Sequence, residues 1–213
     1  MTVKDVIIGA AEILDESAFC AELEKEGTLI PSEDTGETDD GETDDGETTD
    51  VVAELSDEDK EKKKKLIKCF NDVLFEIATE YYPLVAEEEF AAGKIPFSAF
   101  SKTPLKIRNV FSGEESIGFK AGTDYIVTDK KAGKVSVVYE YVPEEKTDTD
   151  SFDYEKTPYG KTVFCYGIAA EYCLITGRFS EAANWESRFK NAVTAVAAPR
   201  KRTKRITSDR VWK

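Results

Sequence analysis

The sequence predicts an α+β protein that is mainly a helical bundle, with a small antiparallel β-sheet region inserted into it and an extended C-terminal tail. Apolar residues recur at helical spacing towards both ends of the chain, in residues 3–25, 56–82 and 157–198. In residues 84–143 they alternate with polar residues instead, which is the period of half-buried strands. Residues 199–213 are basic and hold too few apolar side chains to form a core of their own.

The first helical segment covers residues 3–25, within a unit that we place at 1–32. Asp15, Glu16 and Ser17 interrupt its pattern and predict a long helix followed by a short one. The apolar stripe of these helices consists of Val6, Ile7, Ala10, Ala11, Ile13, Leu14, Phe19 and Leu23.

Residues 33–50 form an acidic low-complexity stretch. The unit GETDD occurs at 36–40 and again at 41–45, and GETTD follows at 46–50. The stretch holds ten acids and no base or apolar residue, so it is predicted to be a mobile surface loop between two helices. Its spacing does not match the D-x-[DN]-x-[DN]-G calcium loop, which favours a linker over a metal site.

Residues 51–83 complete the N-terminal helices of the bundle. Ser56 is a capping residue, and the acids at 57–59 lie in the first turn, where the helix dipole favours negative charge. Pro83 ends the helix, which is therefore placed at 56–82. Its apolar stripe consists of Leu66, Ile67, Phe70, Val73, Leu74, Ile77, Ala78 and Tyr81.

A basic cluster, Lys62, Lys63, Lys64 and Lys65, lies early in this helix. Four lysines over about one turn are typical of a solvated helix face. The same cluster also permits a nucleic-acid-binding role, since phosphate contacts come mainly from lysine and arginine.

Residues 84–143 are predicted to form the β-rich insertion. The first two strands, 87–90 and 95–97, surround a turn at 92–94 and predict a hairpin. Further strands are predicted at 105–110, 117–120, 124–128 and 134–141, the last of which alternates most clearly.

Residues 144–198 supply an acidic connector and then a pair of helices. Thr157 and Pro158 predict the start of the first helix, as a capping residue followed by a proline at the first helical position. Gly177 predicts a left-handed turn between the helices, and Ser180 predicts the cap of the second. The two apolar faces hold Val163, Tyr166, Ile168, Ala169, Ala170, Cys173 and Leu174, and then Ala182, Trp185, Phe189, Ala192, Val193 and Val196.

The tail, residues 199–213, points to a partner rather than to a reaction. From position 200 it holds seven bases and one acid, a formal charge of +6 in a chain of −14. Burying its indole contributes roughly 4–6 kcal/mol, whereas ordering about fourteen residues costs on the order of 14–28 kcal/mol. A disordered basic end is the plain alternative, but the apolar anchors favour docking in a groove or within a multivalent assembly. The predicted docking residues are Arg200, Lys201, Arg202, Lys204, Arg205, Ile206, Arg210, Val211 and Trp212.

The residue inventory argues against several kinds of active site. The chain has no histidine, which excludes histidine-dependent triads and H-E-x-x-H zinc chemistry. It contains neither a P-loop nor a G-x-G-x-x-G fingerprint, and no cofactor or metal is predicted. Cys20, Cys69, Cys165 and Cys173 lack C-x-x-C pairing and predict free, buried thiols in a reducing compartment. Neither a signal peptide nor a membrane span is predicted.

Five stretches carry a resemblance to a known family. They are LIKCFNDVL at 66–74, EYYPL at 80–84, SAFSKTP at 98–104, YGIAAEYCL at 166–174 and FSEAANW at 179–185, before the Pro-Arg-rich end. Together with the order of helices, β-region, helix pair and tail, they resemble the head-to-tail adaptor (connector) proteins of tailed bacteriophages. The resemblance covers most of the chain and includes no active-site motif, and the acidic repeat at 33–50 departs from it.

The resemblance implies a structural virion protein and no enzyme. Such proteins typically form a twelve-fold ring in the neck between capsid and tail, after synthesis in the host cytoplasm. The implied partners are the portal protein, neighbouring copies of the chain, and a tail or stopper protein on the opposite face. The docking residues of the tail would bind the portal, and DNA would pass through the channel without sequence-specific binding. The resemblance implies no membrane partner.

Two other functions stay open at this point. A nucleic-acid-binding module would act through the basic tail and the lysines at 62–65, and its affinity would fall steeply with salt. An enzyme would use paired carboxylates such as Glu87, Glu88 and Glu89. These three are predicted in a strand, where neighbouring side chains point to opposite faces, which argues against a convergent pocket.

Overall fold

The computed structural model of the chain describes residues 2–26, 29–30, 51–52, 54–129, 133–151 and 159–197. Within these residues the fold is α+β, as predicted, with five α-helices, two small antiparallel sheets and a separate pair of two-residue strands. The helices are α1 (Val3–Ile13), α2 (Ser17–Lys25), α3 (Asp57–Glu76), α4 (Lys161–Ile175) and α5 (Phe179–Ala197). The strands are β1 (Leu29–Ile30), β2 (Val51–Val52), β3 (Leu84–Ala91), β4 (Lys94–Pro96), β5 (Pro104–Ser112), β6 (Glu115–Ile117), β7 (Phe119–Ala121), β8 (Tyr125–Thr128) and β9 (Lys134–Tyr141).

The predicted division of the first helical segment is confirmed. A capping box starts α1: the Thr2 hydroxyl accepts from the Asp5 amide at 3.3 Å, and the Asp5 carboxylate accepts from the Thr2 amide at 2.7 Å. Asp15 adopts a left-handed φ of 62° between α1 and α2. A short side chain that tolerates this conformation therefore lies where the two helices separate.

The strands β1 and β2 pair with each other on either side of residues 31–50. Leu29 is opposite Val52 and Ile30 is opposite Val51 in an antiparallel pair. The chain thus leaves and re-enters the described structure at adjacent points. The acidic loop prediction itself lies outside the described residues.

The third helix follows its prediction closely. Ser56 is the N-cap, and its hydroxyl accepts from the Asp59 amide at 3.2 Å. The last turn of the predicted segment, Ile77–Tyr81, is a π-helix that closes with a hydrogen bond from the Tyr82 amide to the Ile77 carbonyl at 2.7 Å. The helix therefore ends immediately before Pro83.

The turn between α4 and α5 is confirmed at Gly177. This residue has a φ of 78°, and the Arg178 amide donates to the Cys173 carbonyl at 2.8 Å. That bond closes a Schellman motif at the end of α4.

The predicted caps of these two helices are wrong. The N-cap of α4 is Gly160, so the helix begins after Thr157 and Pro158, which lie outside the described residues. The second helix begins at Phe179, which places Ser180 inside the first turn. The Arg178 carbonyl accepts from the Ala182 amide at 2.9 Å, so Arg178, which follows Gly177 in the turn, accepts the first hydrogen bond of α5.

The β-rich insertion consists of two sheets. The four-stranded sheet has the order β3-β9-β5-β6 and the three-stranded sheet has the order β4-β8-β7. The alternation predicted at 134–141 is confirmed: in β9, residues Val135, Val137, Tyr139 and Tyr141 are buried. This strand lies between two neighbours, pairing with β3 from Leu84 to Ala91 and with β5 on its other side.

Two strand predictions are wrong because the chain passes from one sheet to the other within the predicted segment. The strands β3 and β4 do not form a hairpin, because Gly93, with a φ of 128°, lets the chain pass from the four-stranded sheet to the other one. The predicted strand at 117–120 is divided at Gly118, with β6 in the first sheet and β7 in the second. Alternation predicts strands, but it does not predict which sheet each one joins.

The helix α4 is the centre of the bundle and packs on α1, α3 and α5. Phe70 of α3 stacks on Phe164 with ring centroids 5.6 Å apart. Near the middle of α4, Gly167 lies against Val73 of α3 and Phe189 of α5. The buried residues of helices and sheets form one continuous hydrophobic cluster.

The connector runs along the bundle from β9 towards α1. The Asn71 side chain of α3 makes two hydrogen bonds with the backbone of Lys146, at 3.0 and 2.8 Å. The Asp148 and Asp150 carbonyls then accept from the first amides of α1. These contacts tie the return from the β-insertion to both N-terminal helices.

None of the helices in the described part of the chain is long and apolar enough to cross a membrane.

Candidate docking surfaces

The predicted docking tail lies outside the described residues. This applies to every one of its predicted site residues, from Arg200 to Trp212. The structure describes the element from which the tail continues: α5 extends to Ala197 and is held by buried Phe189 and Val193. The tail therefore leaves from a helix that is packed into the core.

The lysine cluster at 62–65 is used largely within the protein. The Lys63 ammonium lies 2.7 Å from a Glu26 carboxylate oxygen and 2.5 Å from one of Asp148, and its side chain is only 14% exposed. Burial by itself would lower the pKa of Lys63, but the hydrogen bonds to Asp148 and Glu26 outweigh burial and raise it. The same bond lowers the pKa of the Asp148 carboxyl.

The neighbouring lysine is also paired. Lys62 donates to Glu16 at 2.9 Å, which raises the pKa of Lys62, and its ammonium lies 5.2 Å from the centroid of the Phe19 ring. Lys64 and Lys65, on the same turn, are exposed. Half of the cluster thus joins α3 to α2 and to the connector, which reduces the basic surface left for a nucleic acid.

The three glutamates of β3 lie on two faces of the sheet, as their strand position predicts. Glu87 and Glu89 are exposed, whereas Glu88 points to the half-buried face. The Glu88 carboxylate accepts hydrogen bonds from the Ser101 amide at 3.1 Å, from the Ser101 hydroxyl and from the Tyr139 hydroxyl. Burial alone would raise the pKa of Glu88, but these bonds outweigh it and lower the pKa.

These bonds identify Glu88 as a structural link. It joins β3 to β9 through Tyr139, and to the segment between the two sheets through Ser101. The three carboxylates therefore do not converge on one site.

The four cysteines are buried and free, as predicted. Burial raises the pKa of Cys69 to about 12 and that of Cys165 to about 11. The thiols therefore stay protonated at neutral pH and act as small apolar core residues. Among the described residues, no group of three His, Cys, Asp or Glu side chains could hold a metal ion.

An acidic surface, which the sequence reasoning missed, lies across α3, α4 and α5. Burial and the nearby acids Glu80 and Glu171 raise the pKa of Glu76, and burial and the nearby Asp72 and Glu186 raise the pKa of Glu171. Within the described part of the chain neither Glu76 nor Glu171 forms an ion pair. The spacing of Asp72, Glu76 and Glu80 at every fourth position was the available signal, since such residues share one helix face.

A groove lies beside this acidic surface and shares Asp72 with it. Phe75, whose side chain is 49% exposed, lies at the groove together with half-buried Val142 and Pro143. The groove has a volume of about 210 Å³. We call it the α3 groove, and its lining residues are Asn71, Asp72, Leu74, Phe75, Val142, Pro143, Glu144 and Glu145.

The α3 groove has a mixed character that the sequence reasoning also missed. Its rim carries the exposed acids Asp72, Glu144 and Glu145, whereas its floor is apolar. Phe75 lies off the apolar stripe of its helix, which was the available signal of a surface role. Its second wall comes from residues 142–145, about seventy positions away, which no local pattern could indicate.

A second exposed apolar cluster lies at the turn between α4 and α5. Leu174 and Ile175 are half exposed, and Phe179 is 67% exposed. Its rim carries both signs of charge, Arg178 and Glu181, which form an ion pair at 3.6 Å. This cluster is therefore less acidic than the α3 groove.

Comparison of the chain with protein-family models and with curated proteins finds no match to either.

Proposed function

We propose that this chain is a structural virion protein: the head-to-tail adaptor of a tailed bacteriophage, which joins the portal to a tail or stopper protein. The observation that carries the proposal is the basic C-terminal segment that continues from the core-packed helix α5 of an otherwise acidic protein. The proposal also draws on the resemblance of residues 66–74, 80–84, 98–104, 166–174 and 179–185 to that family.

The charge distribution supports a protein that surrounds DNA without holding it. The whole chain carries −14 and residues 200–213 carry +6, so residues 1–199 carry −20. A negative body repels phosphate, so a duplex can pass through a ring of such subunits without adhering. In the same proposal the protein lies in the neck of the virion and is made in the host cytoplasm.

The energetics of the tail support an assembled state. The tail's anchors contribute less than the entropy lost when it is ordered, so one subunit does not hold it by these anchors alone. A ring, with twelve copies as the expected number, places many tails against one portal and raises their effective concentration. The protein acts in this proposal by binding and not by catalysis.

The test measures docking on the portal with a variant that carries Arg202→Ala, Arg205→Ala and Trp212→Ala. Electron microscopy of the purified protein with its portal is expected to show rings on the portal for the unchanged chain and none for the variant. Thermal unfolding should be unchanged, because the substituted residues lie beyond the packed helix α5.

The matched control removes exposed positive charge elsewhere. A Lys64→Ala, Lys65→Ala variant should dock normally, because both lysines lie outside the tail. Portal docking that survives the triple substitution would contradict the proposal. A gel-shift titration with duplex DNA separates it from the nucleic-acid alternative, which requires binding that weakens steeply with salt.

A further inference from the structure

The α3 groove has the size of a site for one large side chain. Its volume of about 210 Å³ is below the roughly 300–1,000 Å³ of small-molecule sites. Asn71 fixes the connector to α3 through two hydrogen bonds with Lys146, at 3.0 and 2.8 Å. The two walls are therefore held together before any occupant arrives.

The charge around the groove selects a basic occupant. Asp72, Glu144 and Glu145 lie on the rim, and the acidic surface continues across α3 to Glu76 and Glu171. Burial, followed by the neighbouring acids, raises the pKa of both glutamates, and Lys190 offsets only part of this effect at Glu76. One base, Lys146, lies at the end of the connector wall.

The C-terminal tail of this chain has the complementary character. Its one aromatic residue, Trp212, has a basic residue next to it at Lys213 and another two positions before it at Arg210. An aromatic anchor that fills a pocket is a common form of interface hot spot, and complementary charges around it add specificity.

We propose that the α3 groove receives Trp212 and its basic flanks from the C-terminal tail of a neighbouring copy of the chain. A neighbouring copy is favoured because bodies of −20 repel one another, and the +6 tail is the most basic segment that can offset this repulsion. The inference rests on the proposed function, since a closed ring gives every tail a neighbour and every groove an occupant. Trp212 then binds the neighbouring copy and not the portal itself, and the tail, held at its end, presents the basic residues 200–205 to the portal.

The first experiment follows Trp212 fluorescence in the full-length chain. The chain has two tryptophans, and Trp185→Phe leaves Trp212 as the reporter while keeping an aromatic ring beside Tyr166. As protein concentration rises, the emission maximum of Trp212 is expected to move to shorter wavelength, because the indole leaves water for the groove. An emission maximum that is short at all concentrations, or never shifts, overturns the inference.

Groove variants then locate the binding site. In the Trp185→Phe background, Phe75→Ser is expected to raise the concentration at the midpoint of the shift by about tenfold or more. The double variant Glu144→Lys, Glu145→Lys should weaken binding similarly while leaving the apolar floor intact. The matched control is Phe179→Ser, which removes a more exposed phenylalanine from the turn between α4 and α5. A shift that survives Phe75→Ser, or that Phe179→Ser abolishes, overturns the inference.

Mixing two variants tests whether the contact is made between copies. One chain carries Trp185→Phe and Phe75→Ser, so it has the reporting tail and a damaged groove. The other carries Trp185→Phe and Trp212→Ala, so it has an intact groove and no tryptophan. Adding the second chain should restore the short-wavelength emission of the first, and adding a version that also carries Phe75→Ser should not. Absence of restoration overturns the inference.

These measurements need no portal, so a negative result contradicts the groove inference without contradicting the proposed function. A protein that docks on its portal without any Trp212 shift refutes the groove alone. A protein whose Trp212 shifts as expected but which never docks on a portal refutes the adaptor alone.

Discussion

Gly167 sets how closely three helices approach one another. A Cβ atom at this position would lie 2.8 Å from Val73 Cγ1 and 3.1 Å from Phe189 Cε2. Valine is stiff at χ1, so the Val73 methyl groups cannot turn away freely. The absence of a side chain on α4 therefore permits α3 and α5 to pack against it at the same level.

Gly167→Ala is expected to lower the free energy of unfolding by up to about 2 kcal/mol. Overpacking costs about 1–3 kcal/mol, and the better helix propensity of alanine offsets about 1 kcal/mol of it. Urea denaturation measures the change. In a double-mutant cycle, Val73→Ala should make Gly167→Ala less harmful, with a coupling of about 0.5–3 kcal/mol. Strictly additive effects would show that the two residues do not compete for space.

At the scale of elements, the ion pairs of Lys63 connect three parts of the fold. Its ammonium lies between Glu26, just after α2, and Asp148 in the connector. Because the lysine is largely buried, its removal leaves the Glu26 and Asp148 carboxylates facing each other without the cation that lies between them. This site joins the N-terminal helices to the chain that returns from the β-insertion.

Lys63→Met should lower the free energy of unfolding by about 1–3 kcal/mol, below the range of fully buried pairs because both carboxylates are partly exposed. The matched control is Lys65→Met, whose side chain is 52% exposed and pairs with Glu61 at 3.8 Å. That change should stay within about 0.5 kcal/mol. Equal denaturation midpoints for the two variants would contradict a structural role of Lys63.

The sequence predicted where helices and strands form better than it predicted which of them pair or pack together. The helix stripe ending at Tyr81 and the alternation of β9 are dictated by period, and both are confirmed. The change of sheet at Gly93 is not dictated by the hydrophobic period, because a glycine permits a turn but does not determine which strand the chain pairs with next. The α3 groove was unpredictable for a related reason, since Phe75 meets Val142 and Pro143 only in the folded chain.

At the scale of the whole molecule, carboxyl groups act on stability in opposite directions as the pH changes. The pKa values of Glu76 and Glu171 are raised above the ordinary 4.5, so the stability they contribute is present below 4.5 and lost as the pH rises through the raised values. The pKa of Glu88 is lowered from 4.5 and that of Asp148 from 3.8. Their stabilisation is present above those ordinary values and lost as the pH falls through the lowered ones.

The free energy of unfolding is therefore expected to be greatest at mildly acidic pH, just above 4.5, and to decline towards neutral pH and towards strong acid. Urea denaturation across this range measures it. Glu76→Gln should flatten the decline on the neutral side, and Asp148→Asn should flatten the decline on the acid side. Glu114→Gln, in an exposed turn, should leave the profile unchanged. Stability that rises steadily to pH 8 would contradict these assignments.

Because β1 pairs with β2, the number of pentads between the two strands can change during evolution while the rest of the fold stays the same. The strands close a stem, so the pentads between them can be gained or lost by replication slippage without moving any helix. The entropy of closing such a stem grows only with the logarithm of its length, and removing one pentad changes it by about 0.3 kcal/mol or less. Each pentad also carries two or three negative charges, so the number of repeats can change the electric field around the protein while the architecture stays constant.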